Sequence, residues 1–176
     1  MHARLGHLIP DIDVEAFVPG RSEPDLISLA AQRGRWLVLF FYPRDFTFIC
    51  PTELQAFAEL HDDFEAEGAV LLAASTDSFW SHQAWFGTDP SLQGVRYPVL
   101  ADPAHLLSTA FGVLDPDGAA YRATFIADPD GVLRHVSISD QNVGRNPAET
   151  LRVLQALKTG ELCPVDWRPG EPTLSR

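Results

Sequence analysis

The chain has 176 residues, of which 45% are hydrophobic and 21% charged, a length and balance typical of one globular domain with a sizeable core. Its net charge of −11 at pH 7, without a basic stripe, argues against nucleic-acid binding. No apolar run is long enough to span a membrane, and residues 1–11 contain no apolar signal segment, so we expect a cytoplasmic protein.

In chain order, the patterning predicts strands that alternate with helices, followed by a hairpin and a last helix. Strands are predicted over residues 12–17, 36–42, 69–74, 97–100, 121–127 and 132–138. Helices are predicted over residues 26–32, 51–68, 79–86, 104–111 and 146–159. This order indicates a single α/β domain over residues 1–176 with a central mixed sheet flanked by helices, in which residues 161–176 form a polar, proline-containing C-terminal tail.

The stretch from Trp36 to Glu53, WLVLFFYPRDFTFICPTE, contains the clearest functional signal. Its first seven residues are an unbroken apolar run, typical of a strand buried on both faces, and Pro43 ends the run. Pro51 suits the first turn of a helix, so Cys50 is predicted to lie where this strand gives way to a helix N-terminus. Unpaired N–H groups and the helix dipole stabilise an anion there, and we expect the thiol to react as a thiolate.

The neighbours of Cys50 favour a reactive thiol over the alternative of a small buried hydrophobe, which is what most free cysteines are. Thr47 supplies a hydroxyl three residues before the thiol, and Pro43 supplies a rigid wall that can exclude water. Glu53 argues the other way, because a carboxylate near the thiol opposes its ionisation. A cation from elsewhere in the chain must therefore offset Glu53.

These residues resemble the active-site stretch of peroxiredoxins. The sequence PRDFTFICPTE contains the P-x-x-x-T-x-x-C pattern of that family at Pro43, Thr47 and Cys50, and it is most similar to the typical two-cysteine branch, which includes alkyl hydroperoxide reductase C proteins. The resemblance extends over residues 13–174. It implies a thioredoxin-like fold and a thiol-dependent peroxidase that reduces hydrogen peroxide and small alkyl hydroperoxides, with no metal, haem or flavin in this chain.

The resemblance also implies which side chains assist Cys50. Arg122 opens RATFIADPDG, which is similar to the family's strand with the active-site arginine; read alone, it would be a solvated strand arginine. Glu53 resembles the glutamate that holds two arginines, and Arg145 in NVGRNP resembles the second of these; the alternative for Arg145 is a surface charge before a helix. Trp85 also matches a family position and is expected to be pocket wall and core.

A second thiol is needed to resolve the sulfenic acid that peroxide forms on Cys50. Cys163 is the other cysteine, in ELCPVDWRPGEPTL, which is similar to the family's resolving segment. In that branch the partner thiol comes from the other subunit, so the resemblance implies a homodimer with two intersubunit disulfides, and commonly a decameric ring. A thioredoxin-like protein or a flavoprotein reductase would then be the electron donor. The alternative for Cys163 is a spare thiol on a loose tail.

Two departures from the family lead to further expectations. The loop LQGVRYP lacks the family's GGLG insertion, and the chain stops at Arg176 without a YF helix, which predicts resistance to overoxidation and altered dimer or ring stability. The absent C-x-x-C argues against a general disulfide oxidoreductase and against a metal knuckle. A redox-switched chaperone or peroxide sensor remains an alternative function. The histidines show no ligand spacing, and His61 and His82 are predicted to lie on helix surfaces.

Overall fold

A seven-stranded mixed sheet runs through the computed structural model, which describes residues 3–174. The strands are β1 (Asp13–Phe17), β2 (Asp25–Ser28), β3 (Trp36–Phe41), β4 (Ala69–Ser75), β5 (Val99–Ala101), β6 (Arg122–Ala127) and β7 (Leu133–Ser139). The helices are α1 (Cys50–Glu59), α2 (His61–Ala66), α3 (Phe79–Thr88), α4 (Leu106–Phe111) and α5 (Pro147–Thr159). The strand order is β2-β1-β5-β4-β3-β6-β7, in which β3, β4 and β5 are parallel and the other pairs antiparallel. The predicted α/β class with a mixed sheet is confirmed.

Strand β3 lies near the middle of this sheet, between β4 and β6, and is apolar on both faces. Val38 and Phe40 pack into one core cluster together with side chains of α1, α3 and α5, whereas Leu39 and Phe41 pack into a second cluster with α4. Because successive side chains of a strand point to opposite faces, an unbroken apolar run serves both cores. The loop that follows β3, and Cys50 after it, therefore lie at the edge of the sheet where β3 ends.

Two predicted helices differ in the structure. The helix predicted over residues 26–32 is wrong: Asp25–Ser28 forms strand β2, antiparallel to β1, and only a 3₁₀ turn at Ala30–Gln32 follows. Four residues can complete a sheet edge by pairing with β1, whereas so short an isolated helix would have few internal hydrogen bonds. The helix predicted over residues 51–68 is divided at Leu60, and the bend places Phe64 beside Phe57 in the same core, with ring centroids 6.2 Å apart.

Phe57 is a central packing residue of α1, and we predict that Phe57→Ala lowers the free energy of unfolding by about 3–5 kcal/mol. The ring is fully buried and stacks on Phe40 of β3 at a centroid distance of 4.0 Å, so its removal leaves a cavity beneath the helix that begins at Cys50. Urea unfolding at fixed protein concentration measures the loss. Leu106→Ala, at an exposed position of α4, is the control and should change the value by less than about 0.5 kcal/mol.

Candidate active site

Cys50 is the first residue of α1, and its side chain is fully buried. The first turn is fixed by the backbone carbonyl of Ile49, which accepts from the N–H groups of Thr52 and Glu53 at 3.0 and 3.2 Å and from the Thr52 hydroxyl at 2.6 Å. Pro51 occupies this turn, where its missing N–H leaves no bond unmade. The predicted transition from strand β3 to a helix N-terminus at Cys50 is therefore present, and it places the thiol at the positive end of the helix dipole.

Arg122, the first residue of β6, is buried rather than solvated, with 3% of its surface exposed. Its Nη1 lies 3.5 Å from the Cys50 Sγ and donates to the Glu53 Oε2 at 2.6 Å. Its Nε donates to the backbone carbonyl of Gln141 at 2.8 Å, which fixes the plane of the guanidinium. A permanent positive charge thus directly contacts the sulfur.

Arg145 approaches Glu53 from the loop before α5, and only 7% of its side chain is exposed. Its backbone N–H and Nε donate to Glu53 Oε1 at 2.8 and 2.9 Å, and its Nη2 donates to Oε2 at 2.9 Å. Its Cζ lies 5.2 Å from the centroid of the Phe40 ring, and Nη1 donates to the carbonyl of Ala123 at 2.8 Å. The guanidinium is therefore a fixed part of the interior and not a surface charge.

Glu53 joins the two arginines, and its environment keeps it ionised. Burial by itself raises the pKa of this carboxyl, but the hydrogen bonds and charge of Arg145, with the charge of Arg122, outweigh burial and hold the pKa below its usual value. One carboxylate between two guanidiniums leaves a net charge of +1 beside the sulfur. The two guanidiniums bonded to Glu53 supply the cations that the sequence analysis required. The negative charge of Glu53 is therefore offset and does not oppose ionisation of the thiol.

The other predicted pocket residues lie around the loop between β3 and α1. Pro43 is buried, whereas Thr47 is exposed and its hydroxyl donates to the carbonyl of Arg44 at 2.9 Å. Trp85 of α3 is buried, with its ring centroid 6.2 Å from that of Tyr42 and 6.0 Å from that of Phe46. The indole thus packs against the start and the middle of the loop and belongs to the core.

Comparison with known proteins settles the family of this chain. Residues 5–136 match the AhpC/TSA family, and residues 156–175 match the C-terminal domain of 1-Cys peroxiredoxin. The chain belongs to the AhpC/TSA family of peroxiredoxins. It is 45% identical to a thioredoxin peroxidase of Echinococcus granulosus, over 98% of this chain and 93% of that one. It is 39% identical to alkyl hydroperoxide reductase C of Mycolicibacterium smegmatis, over 97% and 93%.

A solved structure gives the same result for the fold of this peroxiredoxin. The reduced 2-Cys peroxiredoxin of Plasmodium vivax superposes with a TM-score of 0.91 at 30% identity, covering 96% of this chain and 91% of that one. The predicted thioredoxin-like fold and the resemblance to typical two-cysteine peroxiredoxins are confirmed. The chain is an oxidoreductase, a thiol-dependent peroxidase.

The second thiol of this peroxiredoxin does not join the cluster around Cys50. Cys163 lies in the tail just after α5 and is half-buried, and both cysteines are free thiols. Its Sγ lies 3.4 Å from the Thr159 hydroxyl and 3.7 Å from the carbonyl of Ala156, at the C-terminal end of the helix. The site thus consists of one assembled centre, with Cys50, Glu53, Arg122 and Arg145, and a separate tail thiol.

Sequence reasoning missed a buried polar group near the site. His82 was predicted on a helix surface, and this is wrong, because its side chain is fully buried and its Nδ1 lies 2.8 Å from Asp45 Oδ2. His61, by contrast, is only partly buried: 12% of its side chain is exposed, and its Nε2 lies 3.3 Å from the exposed Glu65 carboxylate. The signal for His82 was available: it is three residues after Phe79 and four before Phe86, the spacing of a buried helical stripe.

Two absences hold for the described part of the peroxiredoxin. Residues 3–174 contain no group of three or more His, Cys, Asp or Glu side chains arranged to hold a metal ion. None of the helices described there is both long and apolar enough to cross a membrane.

Proposed function

We propose that Cys50 is the nucleophile of the peroxidase reaction. The observation that supports this most directly is the 3.5 Å approach of the Arg122 Nη1 to a buried sulfur at a helix N-terminus. The thiolate attacks one peroxide oxygen, and an S–O bond forms as the O–O bond breaks. Sulfur is oxidised to a sulfenic acid, while the second oxygen takes a proton and leaves as water or an alcohol.

The neighbouring side chains have separate roles in this proposal. Arg122 stabilises the thiolate and the charge that develops on the leaving oxygen, and Glu53 with Arg145 holds Arg122 in place. The Thr47 hydroxyl has committed its proton to the Arg44 carbonyl, so its oxygen is free to accept a hydrogen bond from the peroxide. Pro43 and Trp85 wall the pocket and restrict water.

In the second step, Cys163 of the partner subunit attacks the Cys50 sulfenic acid, forming a disulfide and releasing water. The placement of Cys163 on the tail, outside the cluster of its own chain, is in keeping with an intersubunit bond. The intrachain alternative remains an outcome of the test below. Cys50 is buried within the first turn of α1, so that turn must unwind before its sulfur can meet a second one.

A homodimer also suits the edge of the sheet. β7 is the outermost strand beyond β6; Leu133 at its start exchanges backbone hydrogen bonds with Gly6 and His7, and no described strand pairs with the rest of its outer edge. Ile138 on β7 and Val143 beyond it are about half exposed. Such an edge pairs readily with a second copy of itself. We propose a homodimer on this basis. Membership of the peroxiredoxin family supports the further proposal that the dimers assemble into a decameric ring.

We also propose the substrates, the electron donor and the compartment of this peroxidase. Hydrogen peroxide and small alkyl hydroperoxides are the substrates that a confined, cationic thiol pocket suits best. A thioredoxin-like protein or a flavoprotein reductase returns electrons to the Cys50–Cys163 disulfide. We propose a cytoplasmic location, because the reducing cytoplasm returns both cysteines to free thiols after each turnover.

A non-reducing gel tests this assignment. Reduced protein treated with one equivalent of hydrogen peroxide should migrate as a dimer that dithiothreitol dissociates, and Cys163→Ser should stay monomeric. Fast migration of a wild-type monomer would instead indicate an intrachain bond, and no shift at all would exclude Cys163 as the resolving thiol. Continued turnover with a reducing system separates the peroxidase from a sensor, which would react once and stop.

A further inference from the structure

A buried polar cluster lies beside the loop that precedes Cys50. Tyr42 and His82 are fully buried, and Asp45 is 6% exposed. The Tyr42 hydroxyl donates to Asp45 Oδ1 at 2.8 Å, and His82 Nδ1 lies 2.8 Å from Asp45 Oδ2. The Tyr42 hydroxyl is also 3.4 Å from His82 Nδ1, so the three side chains form one closed network.

The surroundings of His82 determine which tautomer this network holds. Its Nε2 is buried and has no hydrogen-bond partner among residues 3–174. A proton on Nε2 would therefore be a buried donor without an acceptor, whereas a proton on Nδ1 is donated to Asp45. Burial, followed by the charge of Asp45, raises the pKa of Tyr42, so its hydroxyl remains a donor. The Tyr42 hydroxyl and the His82 Nδ1–H thus both donate to the side chain of Asp45.

Asp45 transmits this constraint to the active-site loop through one peptide unit. The N–H of Asp45 donates to Asp77 Oδ2 at 2.9 Å, and Asp77 is itself held by the Ser75 hydroxyl at 2.8 Å. The carbonyl of the same peptide belongs to Arg44 and accepts the Thr47 hydroxyl at 2.9 Å. Because a peptide unit is planar, fixing its N–H also fixes its carbonyl, and hence the direction of the Thr47 hydroxyl.

The backbone next to Asp45 is strained, which shows why an anchor is needed. Phe46 adopts a φ of 55°, a conformation that bulky residues rarely adopt. Such a residue keeps this geometry only where its surroundings over-determine it. Here the anchors are Asp45 on one side and the packing of the Phe46 ring near Trp85 on the other.

We propose that Asp45 and His82 are positioning residues for the peroxidase reaction. The Asp45–His82 pair holds the loop in the one arrangement in which the Thr47 oxygen faces an incoming peroxide while Pro43 covers the sulfur. The inference rests on the proposed role of Cys50 and adds to it two residues that do not touch the substrate. It predicts that the pair matters for peroxide chemistry and not for thiol reactivity in general.

The test compares two reagents in a Cys163→Ser background, where Cys50 is the only thiol. Stopped-flow tryptophan fluorescence gives the rate constant for hydrogen peroxide, and alkylation gives the rate constant for iodoacetamide at the same pH. His82→Leu keeps the volume but removes the donor, and it should slow the peroxide reaction by about tenfold to a hundredfold. The iodoacetamide reaction needs only an accessible thiolate and should not become slower.

A conservative variant separates positioning from bulk packing. In His82→Asn the amide nitrogen can occupy the place of Nδ1 and donate to Asp45, so the peroxide rate should return to within about threefold of the parent. Asp45→Asn, which keeps an acceptor for Tyr42 but removes the charge, should resemble His82→Leu. Asp102→Asn is the matched control: this aspartate is equally buried and caps α4, so its loss should lower stability and leave the peroxide rate unchanged.

The outcomes are distinct. A parent-like peroxide rate in both His82→Leu and Asp45→Asn would overturn the positioning role. An equal fall in both rate constants, with Asp102→Asn behaving in the same way, would reduce the cluster to a contributor to stability and would also overturn it. Failure of the Cys163→Ser parent itself to react with hydrogen peroxide would instead refute the proposed role of Cys50.

Discussion

Replacing Arg122 with methionine is expected to lower kcat/KM for hydrogen peroxide by about two to three orders of magnitude. The guanidinium is the group that donates towards the Cys50 sulfur, at 3.5 Å, and it also neutralises Glu53. Its loss removes a donor aimed at the reacting atoms. It also leaves Glu53 paired with Arg145 alone, so the net charge beside the sulfur falls from +1 to zero. Both changes disfavour the thiolate and the developing negative charge on the leaving oxygen.

The measurement is a steady-state assay with a saturating reducing system, supported by single-turnover rates on the reduced protein. Arg96→Met provides the control, because that arginine is exposed and pairs with Asp62 away from the thiol. The kcat/KM of Arg122→Lys should lie between the values of Arg122→Met and Arg96→Met. An ammonium keeps the charge but cannot bond to the sulfur, Glu53 and Gln141 at once. A loss of less than about tenfold in folded Arg122→Met would exclude the proposed catalytic role.

Much of the centre could be predicted because its residues carry strong local signals. The apolar run into Pro43, followed by Cys50-Pro51 and helical spacing, fixes a strand, a loop and a helix N-terminus from physical rules alone. The position of Arg122 beside the thiol could not be predicted from such local signals. Sequence periodicity places Arg122 on the same strand face as Thr124, but only the resemblance to peroxiredoxins connected that face with a thiol 72 residues away.

The features that were missed depend on tertiary contacts. Strand β2 forms because its four residues pair with the edge of β1. The sequence pattern within Asp25–Ser28 does not distinguish a strand from a helical turn. The surface prediction for His82 is wrong, although the spacing of His82 from Phe79 and Phe86 fits the buried face of α3. Buried polar side chains generally have a hydrogen-bond partner. The partner of His82 is Asp45, which lies 37 residues earlier in the chain. Such pairings become visible only in three dimensions.

The second large effect concerns stability. Glu53→Gln should lower the free energy of unfolding at pH 7 by about 3–5 kcal/mol, because it leaves two buried guanidiniums without a counter-charge. In the wild type, Glu53 is nearly inaccessible and accepts from both Arg122 and Arg145. A neutral amide can accept fewer of these bonds, and its NH₂ group would face the positive nitrogens. Replacing a partner of a buried charge is therefore far more disruptive than replacing an exposed one.

The pH dependence makes this prediction specific. The pKa of Glu53 is lowered in the folded protein, so its stabilising contribution is complete above the usual glutamate pKa of about 4.3 and is lost as the pH falls through the folded value. The difference between wild type and Glu53→Gln should therefore be largest at neutral pH and shrink below pH of about 4. Urea unfolding across this range, at constant protein concentration, measures it.

Glu67→Gln is the matched control for this series. That carboxylate pairs with Lys158 at the partly exposed end of α5, and its pKa is also lowered by its hydrogen bonds to Lys158 and Gln155. Because solvent screens the pair, its loss should lower stability by no more than about 1 kcal/mol. An equally small effect for Glu53→Gln, or a difference from wild type that does not shrink in acid, would mean that the Arg–Glu–Arg cluster contributes little to folding. Its place beside Cys50 would then have to be explained by catalysis alone.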